Sequence, residues 1–278
     1  MAMLILAKLT EALLPLAYCA AVAMYAMAFL RRDEHAQRWG RPAAMVALVV
    51  HSLLIFALTM HHGHCLVYTP FELMTMLSYT ITLTYVVVEL ATGERGTGVF
   101  FLGLALVFQT VSSMFGPGVE SAPPNPLLFD NNVGLHIAAG LFGYTGFAMS
   151  AVYGALYLLL YHEIKSNRFG ALYNRLPSLG LLQRMGELSA LMGLLFLSVA
   201  IVIALVALPG ILPTFSYSDP KLIVEFAIWG LYAGTLLARY LLRLDGRKVM
   251  ILSLIGFFGS VLSLTVINAL LSGFHKFS

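Results

Sequence analysis

The stretch LSALMGLLFLSVAIVIALVAL, residues 188–208, contains no charged residue. At 1.5 Å of rise per residue, about 20 helical residues cross the ~30 Å hydrocarbon layer of a bilayer. Only helices and closed barrels span lipid, because neither leaves backbone polar groups unpaired, and this run lacks the apolar–polar alternation of a barrel strand. It reads as a transmembrane helix. Seven more runs read the same way, roughly 9–30, 43–60, 71–91, 99–115, 133–161, 222–242 and 249–271. The expectation is an all-α, polytopic transmembrane bundle of about eight helices, forming one integral-membrane domain over residues 1–278.

Composition agrees. The chain is 60% hydrophobic and only 10% charged, against about 25% charged residues in a soluble domain. Its mean hydropathy is +0.87. Cys19 and Cys65 form no CxxC pair, which argues against a disulfide framework, a zinc cluster and a covalent c-type haem motif. No basic run with interleaved aromatics points to nucleic acid. No serine–histidine–carboxylate arrangement and no glycine-rich phosphate loop stand out. The first apolar run is followed, not preceded, by Arg31 and Arg32, whereas a signal peptide carries its positive charge first, so a retained helix is expected.

Positive residues orient a bundle, with the excess on the cytoplasmic side. Arg31, Arg32, Arg38 and Arg41 fall on one side with Arg95, Lys165, Arg168, Arg175 and Arg184. Arg239, Arg243, Arg247 and Lys248 join them, making thirteen of the 16 Lys and Arg. Lys8, Lys221 and Lys276 fall opposite. Both termini are then extracytoplasmic, in a multi-pass protein of the cytoplasmic (inner) membrane. His64, His136 and His275 come to the same outer face, with His61 and His62. His35 and His162 are cytoplasmic, and His51 is mid-membrane.

The outer loop 116–132 holds Pro117, Pro123, Pro124 and Pro126 and reads as an ordered cap or a lid. The inner segment 166–185 mixes Leu and Tyr with Arg, as an interfacial helix does. The run 133–161 would make roughly 43 Å of helix, more than the hydrocarbon layer needs. Unless tilt absorbs the excess, His136 stands above the lipid in an outer vestibule.

Imidazole is a common ligand of metals and haem iron. Two histidines on helices from different parts of a bundle, such as His136 and His275, are suited to the two faces of one haem. The alternative is that each is an interfacial histidine meeting water at a helix end. His64 lies in His61-His62-Gly63-His64-Cys65, whose spacing matches no standard zinc pattern. His51 is either a functional group, since ionisable residues in lipid are costly, or a neutral imidazole bonded to a neighbouring helix. Glu72 reads as a helix-start carboxylate, and Glu187 as opening the sixth helix. Asp219-Pro220 reads as an N-cap followed by Pro at N1, with Lys221 and Glu225 paired one turn apart.

These fragments have counterparts in a known family. Gly63-His64-Cys65 followed by Phe71-Glu72-Leu73-Met74-Thr75-Met76-Leu77-Ser78-Tyr79 resembles the third-helix entry of CcsA-type cytochrome c biogenesis proteins. Leu135-His136-Ile137 with Gly143-Tyr144 resembles that family's histidine-bearing helix. Asp219-Pro220-Lys221 with Trp229 is similar to its seventh-helix region. Gly246-Arg247-Lys248 and Gly256-Phe257-Phe258 resemble the run into its last helix, where Asn268, Gly273 and His275 match its C-terminal Asn, Gly and His. The related HemX-like branch shares the eight-helix plan and a histidine at the place of His51. On these residues, about 50–278, the chain resembles the CcsA/HemX haem-handling superfamily.

The resemblance implies non-covalent, b-type haem held at the extracytoplasmic face by His136 and His275 as axial ligands, for attachment to apocytochrome c. His64 and His51 are further haem-binding candidates. Phe215 and Tyr217 would pack near the ring, beside Asp219, with Lys221 a propionate partner. A CcsB-like membrane partner and a role in a holocytochrome c synthase complex are also implied. Two alternatives stay open: a HemX-like regulator of haem synthesis acting on glutamyl-tRNA reductase, and a haem-bearing electron-transfer membrane subunit. The chain departs from the family at two places. Its tryptophan-rich loop is here Pro213-Thr214-Phe215-Ser216-Tyr217-Ser218, and a seventh-helix histidine is Leu237.

The orientation predicts the behaviour of reporter fusions. A fusion after Arg95 is expected to be active only with a cytoplasmic reporter, and one after Asp130 only with an exported reporter. The reverse pattern would overturn the assignment.

Overall fold

In the computed structural model, which describes residues 2–63, 69–115, 126–167, 170–212 and 215–263, the apolar runs are α-helices. Among the described residues there are nine: α1 Ala2–Arg31, α2 Glu34–His62, α3 Pro70–Thr92, α4 Gly98–Phe115, α5 Asn131–Lys165, α6 Ala171–Arg175, α7 Leu179–Val206, α8 Pro220–Leu242 and α9 Gly246–Leu262. Those residues include no strand. Seven of the helical segments are long and apolar enough to cross a bilayer. The eighth expected span begins as α9, and the rest of it lies outside the described residues. The protein is a multi-pass, all-α membrane protein.

The chain divides after Gly134 into two compact units. In the first, α1 packs along α2 and α4, and α3 packs along α4. In the second, α8 packs on α7 and α9.

The helix ends follow local chemistry. Asp33 accepts a 2.7 Å hydrogen bond from the Ala36 N–H and caps α2. Thr69 and Glu72 form a reciprocal capping box with Pro70 at N1, so Glu72 satisfies backbone donors at the start of α3. Asp219 accepts from the Lys221 N–H at 2.8 Å and caps α8, with Pro220 at N1, as the sequence implied. Gly93 ends α3 at φ 74°, a left-handed conformation that glycine enters without steric cost.

Outward faces are apolar at helical spacing. On α2 the exposed row is Val46, Val49, Leu53, Phe56 and Met60; on α7 it is Leu195, Val199, Val202 and Val206. In water such continuous rows would drive association. In a membrane they meet acyl chains.

Three boundaries differ from the sequence reading. Helix α7 begins at Leu179, so Glu187 does not open it but sits two turns inside, where Arg239 Nε donates to it at 2.9 Å. The segment 166–185 is not one interfacial helix: it holds the five-residue α6 and, after Pro177, the first turns of α7. Helix α5 is longer than its apolar core, 35 residues, or about 52 Å.

Small residues bring α5 and α7 together. A Cβ on Gly146 would lie 2.5 Å from the Gly193 backbone nitrogen, and beside this crossing Phe147 stacks on Tyr232 at 3.8 Å between ring centroids. Without a hydrophobic drive between helices in lipid, such close backbone approach supplies the packing that replaces it. Gly146→Val is expected to destabilise by about 1–3 kcal/mol through overpacking. Gly140→Val, where a Cβ meets nothing within 4 Å, is the control. Thermal unfolding in detergent measures the difference, and equal melting temperatures would refute the packing account.

Candidate functional site

His136 stands in the second turn of α5, partly buried. Its Nδ1 lies 3.0 Å from the carbonyl oxygen of Ala200 on α7. A carbonyl only accepts, so Nδ1 carries the proton and the lone pair is on Nε2. That tautomer, with its outer N–H anchored on a backbone carbonyl, is the arrangement metal- and haem-ligating imidazoles use. The donor chemistry therefore fits a haem ligand.

Two turns further along α5, Tyr144 enters a buried polar network on α8. Lys221 Nζ is 2.7 Å from Glu225 Oε1, the i,i+4 pair expected from the sequence. Tyr144 donates to Glu225 at 2.5 Å, and Ser263, at the end of α9, donates at 2.6 Å. Lys221 also donates to Ser263 at 2.9 Å and to the Tyr144 hydroxyl at 3.1 Å. The three ammonium protons thus have three partners inside the protein. Glu225 and Lys221 both interact electrostatically with His136.

The remaining proposed residues of this unit sit nearby in sequence. Phe215 and Tyr217 form an edge-to-face pair, with centroids 5.0 Å apart, ahead of the Asp219 cap. Tyr217 is 64% exposed, an aromatic surface available to a flat ligand. Leu237, where the resemblance places a family histidine, is exposed on α8, and Trp229 donates to Ser198 at 2.8 Å. His64 and His275 lie outside the described residues. Among those described, no three of His, Cys, Asp and Glu converge on one point; axial ligation of haem asks only for two imidazoles.

The first unit contains its own buried histidine. His51 is fully buried on α2, and its Nδ1 lies 2.9 Å from the Tyr18 hydroxyl of α1. Tyr18 is 2.8 Å from Thr82, which donates to the Ser78 carbonyl at 2.8 Å. The Tyr79 ring packs edge-on against the imidazole at 5.2 Å. Nε2 has no hydrogen-bond partner among the described residues. Among the described residues, His51 is thus bonded to a neighbouring helix through one nitrogen and unengaged at the other.

A second charged cluster of this unit escaped the sequence reading. Glu89, 1% exposed, takes Arg41 at 2.7 Å, Arg95 at 3.4 Å and the Tyr25 hydroxyl. Arg95 also donates to the Gln37 carbonyl. The signal lay in an acidic residue inside an apolar run with arginines near the ends of neighbouring apolar runs, but nothing in the sequence named the partners.

Comparison with known proteins follows the same lines. The family described as Cytochrome C assembly protein matches residues 6–275. A protein named Protein HemX from Brevibacillus brevis is 25% identical over 227 residues, 81% of this chain and 83% of that protein. Another Protein HemX, from Bacillus subtilis (strain 168), is 25% identical over 144 residues, 52% of each chain.

Removing the Tyr18 hydroxyl leaves His51 Nδ1 without the partner it has across α1 and α2. Tyr18→Phe is therefore expected to cost about 1–3 kcal/mol. In a double-mutant cycle with His51→Leu the two changes are expected to couple by about 0.5–3 kcal/mol. Additive unfolding energies would show that the bond carries no stability.

Proposed function

The chain belongs to the cytochrome c assembly protein family, and from that premise we propose that it binds b-type haem non-covalently on the extracytoplasmic side of the inner membrane and presents it for attachment to apocytochrome c. His136 and His275 are the proposed axial ligands. One observation carries the reading: His136 is held by the Ala200 carbonyl in the tautomer that offers Nε2 to iron. His275 provides the second imidazole by its place in the resemblance to the family.

The other proposed residues bind and orient. Phe215 and Tyr217 offer apolar surface to the porphyrin face in place of the family's tryptophans. Asp219 caps the start of α8 after them, and Lys221 is the proposed propionate partner. His64 belongs to the outer vestibule, and His51, with its unengaged Nε2, to an interior station in the other unit. When bound, haem supplies the vinyl groups across which the apocytochrome thiols add; the chain's own work is ligation, orientation and exclusion of water. A CcsB-like membrane protein is the proposed partner, completing a holocytochrome c synthase.

A second reading is favoured by the relatives named Protein HemX and by the loss of the family's tryptophans. In it the chain regulates haem synthesis through glutamyl-tRNA reductase. A deletion strain with normal c-type cytochromes but altered reductase abundance would favour this role over presentation.

The haem spectrum of the purified chain tests the site. His136→Ala and His275→Ala are each expected to convert a six-coordinate, low-spin haem into a species with one open axial position and to lose most bound haem on washing. Unchanged haem content and spectrum in both variants would reject the assignment.

A further inference from the structure

Three helices of the second unit meet at one carboxylate oxygen. Glu225 Oε1 on α8 takes hydrogen bonds from Lys221 of its own helix, from Tyr144 on α5 and from Ser263 at the end of α9. Tyr144 lies two turns beyond His136 on the same helix. The O–H···O distances, 2.5 Å and 2.6 Å, are those of charge-assisted bonds.

The loading of the carboxylate is one-sided. Oε1 has three donors, while Oε2 is buried with no partner among the described residues. Buried polar atoms are nearly always hydrogen-bonded, so unused acceptor capacity at this depth calls for an explanation. A buried ion pair is also weak evidence for stability, since well-packed apolar residues often do as well. What an apolar replacement would not reproduce is the directional tie from α8 to the hydroxyl on α5.

We propose that Glu225 is a positioning residue of the His136 site. It holds the N-terminal half of α5 against α8 and α9 through Tyr144 and Ser263, and so sets where the imidazole stands. The Ala200 carbonyl fixes the ring's rotation; the Glu225 network fixes the helix that carries the ring. Ligand geometry has to be held to about 0.5 Å by supporting contacts to be effective; close packing sets α5 against α7, and the Glu225 network adds the directional tie to α8 and α9. The role rests on the reading of His136 as a haem ligand.

The test uses the full chain in detergent with added hemin as the probe, and compares Tyr144→Phe, Glu225→Gln and Glu187→Gln. Tyr144→Phe removes one hydroxyl and keeps the ring, so it isolates the tie even if Glu225→Gln fails to fold. Glu187→Gln breaks another buried ion pair, with Arg239, near the opposite end of α8. Tyr144→Phe and Glu225→Gln are expected to reduce the six-coordinate, low-spin fraction. They are also expected to speed backbone hydrogen exchange over residues 135–145 about fivefold or more, the effect of losing one buried hydrogen bond. Glu187→Gln is expected to change neither. A wild-type spectrum and wild-type exchange in Tyr144→Phe would overturn the proposal. So would an equal effect of Glu187→Gln, which would reduce it to general stability. A wild-type spectrum in His136→Ala rejects the haem-ligand reading instead, and with it the role of Glu225 toward haem, while the exchange data report separately on the tie to α5.

Discussion

Hydrocarbon offers no hydrogen-bond partner, and this constraint governs the whole structure. Hydroxyls in the spans are returned to their own helices: Thr10, Ser52, Thr92, Ser189, Ser198, Thr235 and Ser260 each donate to the carbonyl four residues back. Charges are gathered into closed clusters. Glu89, Glu187 and Glu225 each sit deep in the protein, and each is met by a basic side chain within 3 Å. Each cluster joins more than one helix, so groups that are costly singly become the cross-links of the bundle.

The same constraint shapes His51 and His136. Each is bonded through Nδ1 to a group on a neighbouring helix, a tyrosine hydroxyl for His51 and a backbone carbonyl for His136. The chain belongs to the cytochrome c assembly protein family, and the proposed haem site asks for imidazoles set in fixed orientations. Under the proposed reading, His136 is the iron ligand whose ring is set by α7 and whose helix is set by the Glu225 network. The functional demand and the solvation demand are then met by the same hydrogen bonds.

Much of this was legible beforehand. The spans, the Asp219 cap with Pro220 and the Lys221–Glu225 pair follow from local rules acting within one or two helical turns. Glu187 was misplaced because hydropathy marks the apolar centre of a helix, not its start, and α7 runs nine residues ahead of Leu188. The partners of His51 and Glu89 were not legible. Tyr18 and His51 are 33 residues apart, and Arg41 and Glu89 are 48 apart, so their meeting depends on which helix faces pack.

The sequence by itself determined that the chain crosses a membrane repeatedly, which family it resembles, and which histidines deserve attention. Those properties reside in composition, periodicity and short motifs, each carried by consecutive residues. Only the tertiary structure decided the proton on His136, the three donors gathered on one oxygen of Glu225, and the outward turn of Leu237. A helical periodicity shows which residues share a face, but not which neighbour that face meets. The acceptor beside an imidazole or the donors around a carboxylate are therefore fixed only when the helices have packed.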